Sequence, residues 1–357
     1  MKGYISLIKK DFNIKEKSKN LKQINYGLAI LKSLLSFLVI ATHFFNPNST
    51  KNALLLNFTK NRKLHVPSFF IMSFYFMHKN LLSLNLKVIL NRFLRLLIPY
   101  VGYAIIIWKI NHFMNIKFKT KFRDTYKDLK YQLIWGRLYL SHMWFQWNLI
   151  TITFLFIIII SIFRKHCLFI MQILFIFFYI AQYSGYHLNN FIVNYPSFNK
   201  TVMSVLFESI PLAITGFNLG FYTILETLQK HKIKTFIFSI IIYNAISDYY
   251  IFVKIKGVNY QGINLNIQSL CIIFTASLFP SNIIKYKFLI YFMNIITNYT
   301  AGIYYLHIPI HDYLKNYIYS IKQGSFLGIA LIYMICYIIC FIGMIFLGKT
   351  PLKHLFC

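Results

Sequence analysis

Long apolar runs constrain this chain more than any other feature. From Gly27 to Gly348, stretches of about 18 to 25 mostly apolar residues recur, each the length a helix needs to cross roughly 30 Å of hydrocarbon. Lipid offers no partner to an unpaired backbone group, so only helices or a closed barrel can span it. The runs are continuous and lack the period-two alternation of barrel strands, which leaves an all-α, polytopic transmembrane bundle.

About ten candidate spans follow from the runs. They cover Gly27–Phe45, Val66–Leu84, Leu96–Met114, His142–Phe163, Cys167–Tyr183, Val202–Leu225, Ile233–Val253, Ile263–Pro280, Phe288–Leu314 and Gly324–Gly348. Between the third and fourth lies a basic loop, Asn115–Leu140, whose Arg123, Asp124, Lys127 and Asp128 suggest a short amphipathic helix at the membrane surface. The organisation expected is a basic tail (1–26), one transmembrane domain (27–348) and a short tail (349–357), with no soluble appendage. No small-residue cleavage motif follows the first run, so it is read as a retained helix and not a removable signal. An even number of spans puts both termini on one side, and the basic N-terminal tail favours the cytoplasm, with the plasma (inner) membrane as the expected location.

The formal charge of +30 would point to nucleic acid in a soluble protein, but here the cations lie in loops between apolar helices, where anionic headgroups are the natural partner. No nucleic-acid partner is expected. The five cysteines (167, 271, 336, 340 and 357) lack CxxC spacing, and no element groups His, Cys and carboxylates at ligand spacing, so neither a zinc site nor any other metal is expected.

Within the first run, KSLLSFLVIATHFF carries Lys32 and His43. Eleven residues at about 100° each bring both side chains within roughly 20° of one face, with a rise of about 16 Å between them. Taken singly, Lys32 also fits a snorkelling lysine and His43 an interfacial histidine. Ionisable groups inside spans tend to face a cavity and serve function, and the shared face favours that reading. Ahead of the third span, Arg92 and Arg95 are three residues apart and so project side by side, an outline of a phosphate clamp; an ordinary positive-inside pair would look the same. Pro99 suits the first turn of that span or a break before it. Glu208, Asp248 and Asp312 fall in or at the ends of spans, where acids either neutralise a basic neighbour or serve function.

These segments together resemble the acyltransferase 3 family, membrane enzymes that move acyl groups, often acetyl, from acyl-CoA to hydroxyls of glycans and other acceptors. The resemblance rests on the cation with a histidine eleven residues on (Lys32, His43), on VPSFFIMSFYF at 66–76, on RFLR at 92–95 and on AGIYYLHIPI with His307. HMWF at 142–145 and TPLKHL at 350–355 are also similar. Two positions depart from the family pattern: Lys32 stands where arginine is usual, which weakens bidentate phosphate recognition there, and Phe74 replaces the glycine after Ser73, which would narrow the space around substrate.

The resemblance implies a membrane O-acyltransferase with acyl-CoA, in the first place acetyl-CoA, as donor and a glycan or lipid-linked sugar as acceptor. His43 would be the general base, or alternatively the covalent acyl carrier. Arg92 and Arg95 would hold the nucleotide end of CoA, with Lys32 on a phosphate further in. His307, His142, Trp144 and Ser73 would contact substrate, although an aromatic belt accounts equally for Trp144 and a structural role for His307. Two rival readings remain at this point: a transporter or flippase of a lipid-linked glycan, and a non-catalytic membrane anchor.

Overall fold

A computed structural model describes residues 26–40, 64–118, 125–135, 143–183, 200–252, 261–279, 300, 302–311, 314 and 326–347. Among them the regular structure is entirely helical. In chain order the helices are α1 (Tyr26–Ile40), α2 (His65–Leu82), α3 (Leu86–Phe118), α4 (Tyr126–Trp135), α5 (Trp144–Phe163), α6 (Cys167–Tyr183), α7 (Lys200–Phe221), α8 (Ile224–Gln229), α9 (Lys232–Phe252), α10 (Gln261–Ser277), α11 (302–311) and α12 (Phe326–Leu347). Helix thus occupies part or all of every segment read as a span.

Two helical stretches among the described residues are long and apolar enough by themselves to cross a bilayer, Leu86–Phe113 and Trp144–Ile180. The second is a hairpin. Helical geometry breaks at Arg164, a 3-10 turn covers Arg164–His166, and Phe156 and Gln172 on either side of it both meet α7, at Phe217 and Asn218.

Helix α2 lies at the centre. Its contact with α7 is close because Gly216 carries no Cβ; one built there would stand 2.1 Å from the Ile71 carbonyl oxygen, and one at Gly220 would stand 2.2 Å from the His78 ring. The two glycines are four residues apart, one turn of helix, which is the spacing that lets membrane helices approach backbone to backbone. The main core then forms from Phe70, Phe74, Phe156, Phe217 and their neighbours. Pairs of contacts fix direction: Ile71 with Gly216 and His78 with Gly220 make α2 and α7 parallel, and Asn148 with Ser209 and Phe156 with Phe217 align α5 with them. Gly27 meets Ala276, and Gln229 meets Ser277, so the start of α1 and the end of α10 lie at the end of the bundle where α2, α5 and α7 finish. The exposed Lys79, Lys87, Arg164, Lys165, Lys230, Lys232 and Lys234 gather at that same end.

Helix α3 begins ten residues before the expected span and runs through Pro99 without ending, which corrects the expectation that the proline marks a first turn or a break. Proline removes an N–H, leaving a carbonyl one turn back without its helical partner. The buried Gln146 side chain donates to the adjacent carbonyl, Leu96, in this loosened turn. The α2–α3 turn is closed by the Asn85 N–H donating to Asn80 at 3.0 Å, and it forces Leu84 into the left-handed region at φ 47°.

The expected surface helix in the basic loop is α4. Thr125 and Asp128 cap it reciprocally: the Thr125 hydroxyl donates to Asp128 at 2.7 Å, and the Asp128 N–H donates back at 3.1 Å. Tyr100 ties it to α3, its hydroxyl donating to the Gln132 carbonyl at 2.8 Å.

Outward faces carry apolar groups that water would not tolerate in such numbers, including Phe169 (66% exposed) on α6 and Ile233 (76%) on α9. Hydrocarbon satisfies them.

Candidate active site

A cavity of about 410 Å³ opens between α1, α2, α3, α5 and α11. One stripe of α1 forms a wall: Leu28, Lys32, Ser36 and Val39, at helical spacing, all line it. Facing them are Ser73 from α2, Arg92 and Leu96 from α3, Phe145 and Gln146 from α5, and Tyr304 and Tyr305 from α11.

Arg92 is held on α2. One terminal nitrogen donates to the Ser73 hydroxyl at 2.7 Å, and the guanidinium carbon sits 5.7 Å from the centre of the Phe74 ring. Its Nε is buried without a hydrogen-bond partner among the described residues. The apolar α2 segment and the arginine turn are thus one structural unit. Phe74 does not narrow the cavity as expected; it is fully buried on the other side, 4.9 Å from Phe156, and acts as a platform for the guanidinium.

Three residues selected from sequence therefore share the cavity: Lys32, Ser73 and Arg92. Arg95 does not join them. It is exposed on α3 among Leu94, Leu97 and Ile98, because three residues of helix turn it about 60° away from the one face that α2 covers. Trp144 is half-buried and edge-on to Phe145 at 6.2 Å; the next two residues, not Trp144, reach the cavity.

His307 is fully buried on α11, one turn beyond Tyr304, the two ring centres 6.1 Å apart. Carbonyls only accept, so its Nδ1–H donates to Tyr304 at 2.8 Å and Ile303 at 3.1 Å. His307 thus stands behind the tyrosine wall and not on it. His43, His142 and Asp312 lie outside the described residues, as do the side chains of Glu208 and Asp248.

Sequence reasoning missed Gln146, Ser36 and the Tyr304–Tyr305 pair. Ser36 was within reach, since it is four residues from Lys32 on the stripe already drawn. Tyr305 stacks on Tyr103 at 4.6 Å, a contact across more than two hundred residues of chain that no local pattern encodes.

A helical bundle with lipid-compatible outer faces and an internal cavity whose wall includes Lys32 and Arg92 is the architecture of a membrane protein. Residues 25–347 match the family described as an acyltransferase domain, acyltransferase 3, and the chain belongs to that family. It is a membrane acyltransferase, an enzyme that transfers an acyl group from a donor to an acceptor. No curated protein and no solved structure matches the chain.

Proposed function

We propose that this enzyme transfers an acyl group, acetyl in the first place, from acyl-CoA to a hydroxyl of a glycan or lipid-linked sugar, with His43 as general base. The observation that supports the reading is a cavity in which Lys32 and Arg92, from two different helices, share the wall with Ser36 and Val39 of α1. Lys32 and Arg92 suit the phosphates of CoA, and Arg92 brings a guanidinium already oriented by Ser73 and Phe74. A volume of about 410 Å³ suits a pantetheine arm with a small acyl group.

Continuing α1 by helical geometry would set His43 about 16 Å beyond Lys32, comparable to an extended pantetheine arm. With phosphates at Lys32 and Arg92, the thioester then reaches the imidazole. His43 takes the proton of the acceptor hydroxyl as its oxygen attacks the thioester carbonyl. The tetrahedral intermediate collapses with cleavage of the C–S bond, and the thiolate of CoA leaves and is protonated. The exposed cations gathered at one end of the bundle support placing that end at the cytoplasm of a plasma (inner) membrane, termini included, so that CoA enters from its own compartment. Arg95, on the surface near that end, is free to meet a headgroup or the outer part of the nucleotide.

Comparing surface glycans by mass spectrometry, from cells with and without the chain, tests the reading. A difference of one acyl unit per modified sugar is expected. Substrate moved across the membrane without acyl-CoA consumption would replace the reading with transport.

A further inference from the structure

We infer that Gln146 is a donor-recognition residue: its Oε1 accepts the N–H of the pantetheine amide nearest the phosphates. The inference rests on acyl-CoA being the donor. Gln146 is 2% exposed and lines the cavity, so a primary amide has been taken out of water beside the place where substrate would lie. Such a burial is costly unless each polar atom finds a partner.

The orientation of the amide follows from its neighbours. The Leu96 carbonyl can only accept, so the nitrogen of Gln146 faces it. The amide nitrogen is thereby engaged with protein. The oxygen is not: Oε1 is buried and has no hydrogen-bond partner among the described residues. Leu96 lies next to Arg95, the residue whose carbonyl Pro99 leaves without a helical N–H, so the side chain anchors beside the proline's turn. Oε1 is thus the one polar atom of this cavity-lining side chain that the described residues leave for a ligand to satisfy.

The spacing selects the group received. Leu96, which anchors Gln146, is one turn beyond Arg92 on α3, a rise of about 6 Å. In CoA, five single bonds separate the phosphoester oxygen from the first amide nitrogen, which at ordinary bond lengths is roughly 6 Å when extended. A phosphate on Arg92 therefore brings that N–H level with Gln146. An acceptor hydroxyl would instead have to reach the far end, near position 43, to be acylated.

The test compares acetyl-CoA with its analogue in which this amide N–H is replaced by an ester oxygen, using the full chain in nanodiscs. For the wild type we expect KM to rise roughly tenfold with the analogue and kcat to hold, as for loss of one neutral hydrogen bond. Gln146→Leu should show the raised KM with acetyl-CoA and no further change with the analogue. Equal KM values for the two donors on the wild type would overturn the inference even if the variant failed to fold. A Gln146→Leu enzyme equally sensitive to the analogue would overturn it too. Absence of any turnover of acetyl-CoA by the wild type would instead remove the underlying donor assignment, and the inference with it.

Discussion

Replacing Gly216 by alanine should loosen the centre of the bundle. The added Cβ would stand 2.1 Å from the Ile71 carbonyl oxygen, 2.8 Å from its carbon and 2.9 Å from the Ile71 Cα. All three atoms are backbone, so no rotamer change relieves the clash. Ordinary carbon contacts lie at about 3.5 Å or more, and α2 and α7 must part by on the order of 1 Å. Overpacking of this kind costs about 1 to 3 kcal/mol, whereas alanine in place of glycine returns at most about 1 kcal/mol of helix propensity. A net loss follows, because parting the helices also disturbs the fully buried Phe74, Phe156 and Phe217. The thiols of Cys167, Cys271, Cys336 and Cys340 are buried, so a maleimide dye that fluoresces on reaction reports unfolding in detergent. For a net loss of about 1 to 2 kcal/mol the expected fall in Tm is about 2 to 8 °C, at roughly 2 to 4 °C per kcal/mol. A Tm that is unchanged or higher would refute the close approach of these helices at Gly216.

Other consequences follow from the same geometry. Ser73→Ala removes the hydroxyl that orients Arg92 and should raise KM for the acyl donor by about tenfold with kcat little changed, measured from thiol release. Arg95→Ala should shift the same KM less than about twofold, whereas Arg92→Ala should shift it far more; equal effects would restore the paired clamp. Asp128→Ala breaks the reciprocal cap of α4 and should cost about 1 kcal/mol, visible as faster hydrogen exchange over 126–135.

The helices were legible in the sequence because lipid allows an apolar run almost no other fate. The cationic wall was legible too, since Lys32 and Arg92 are charges that a span does not carry without reason. Pro99 was misread because its effect on a helix depends on neighbours: a glutamine fifty residues away in the chain anchors beside the proline's turn. That Arg95 lies outside the cavity was not legible, as spacing puts two side chains near each other without saying which one a neighbouring helix will cover. Gly216 and Gly220 did show the spacing of close-packed membrane helices, a signal passed over within an otherwise apolar run. Gln146 had no signal of its own, because its role arises from Leu96 and the cavity together.

The central claim is that one end of this cavity binds the coenzyme while the other performs the transfer. Measuring acetyl-CoA binding and acetyl transfer side by side, for Arg92→Ala and His43→Ala in nanodiscs, separates the two ends directly. The account predicts that Arg92→Ala binds the donor weakly, and that His43→Ala binds it as the wild type does yet transfers nothing. Full transfer by His43→Ala, or undiminished binding by Arg92→Ala, would contradict it.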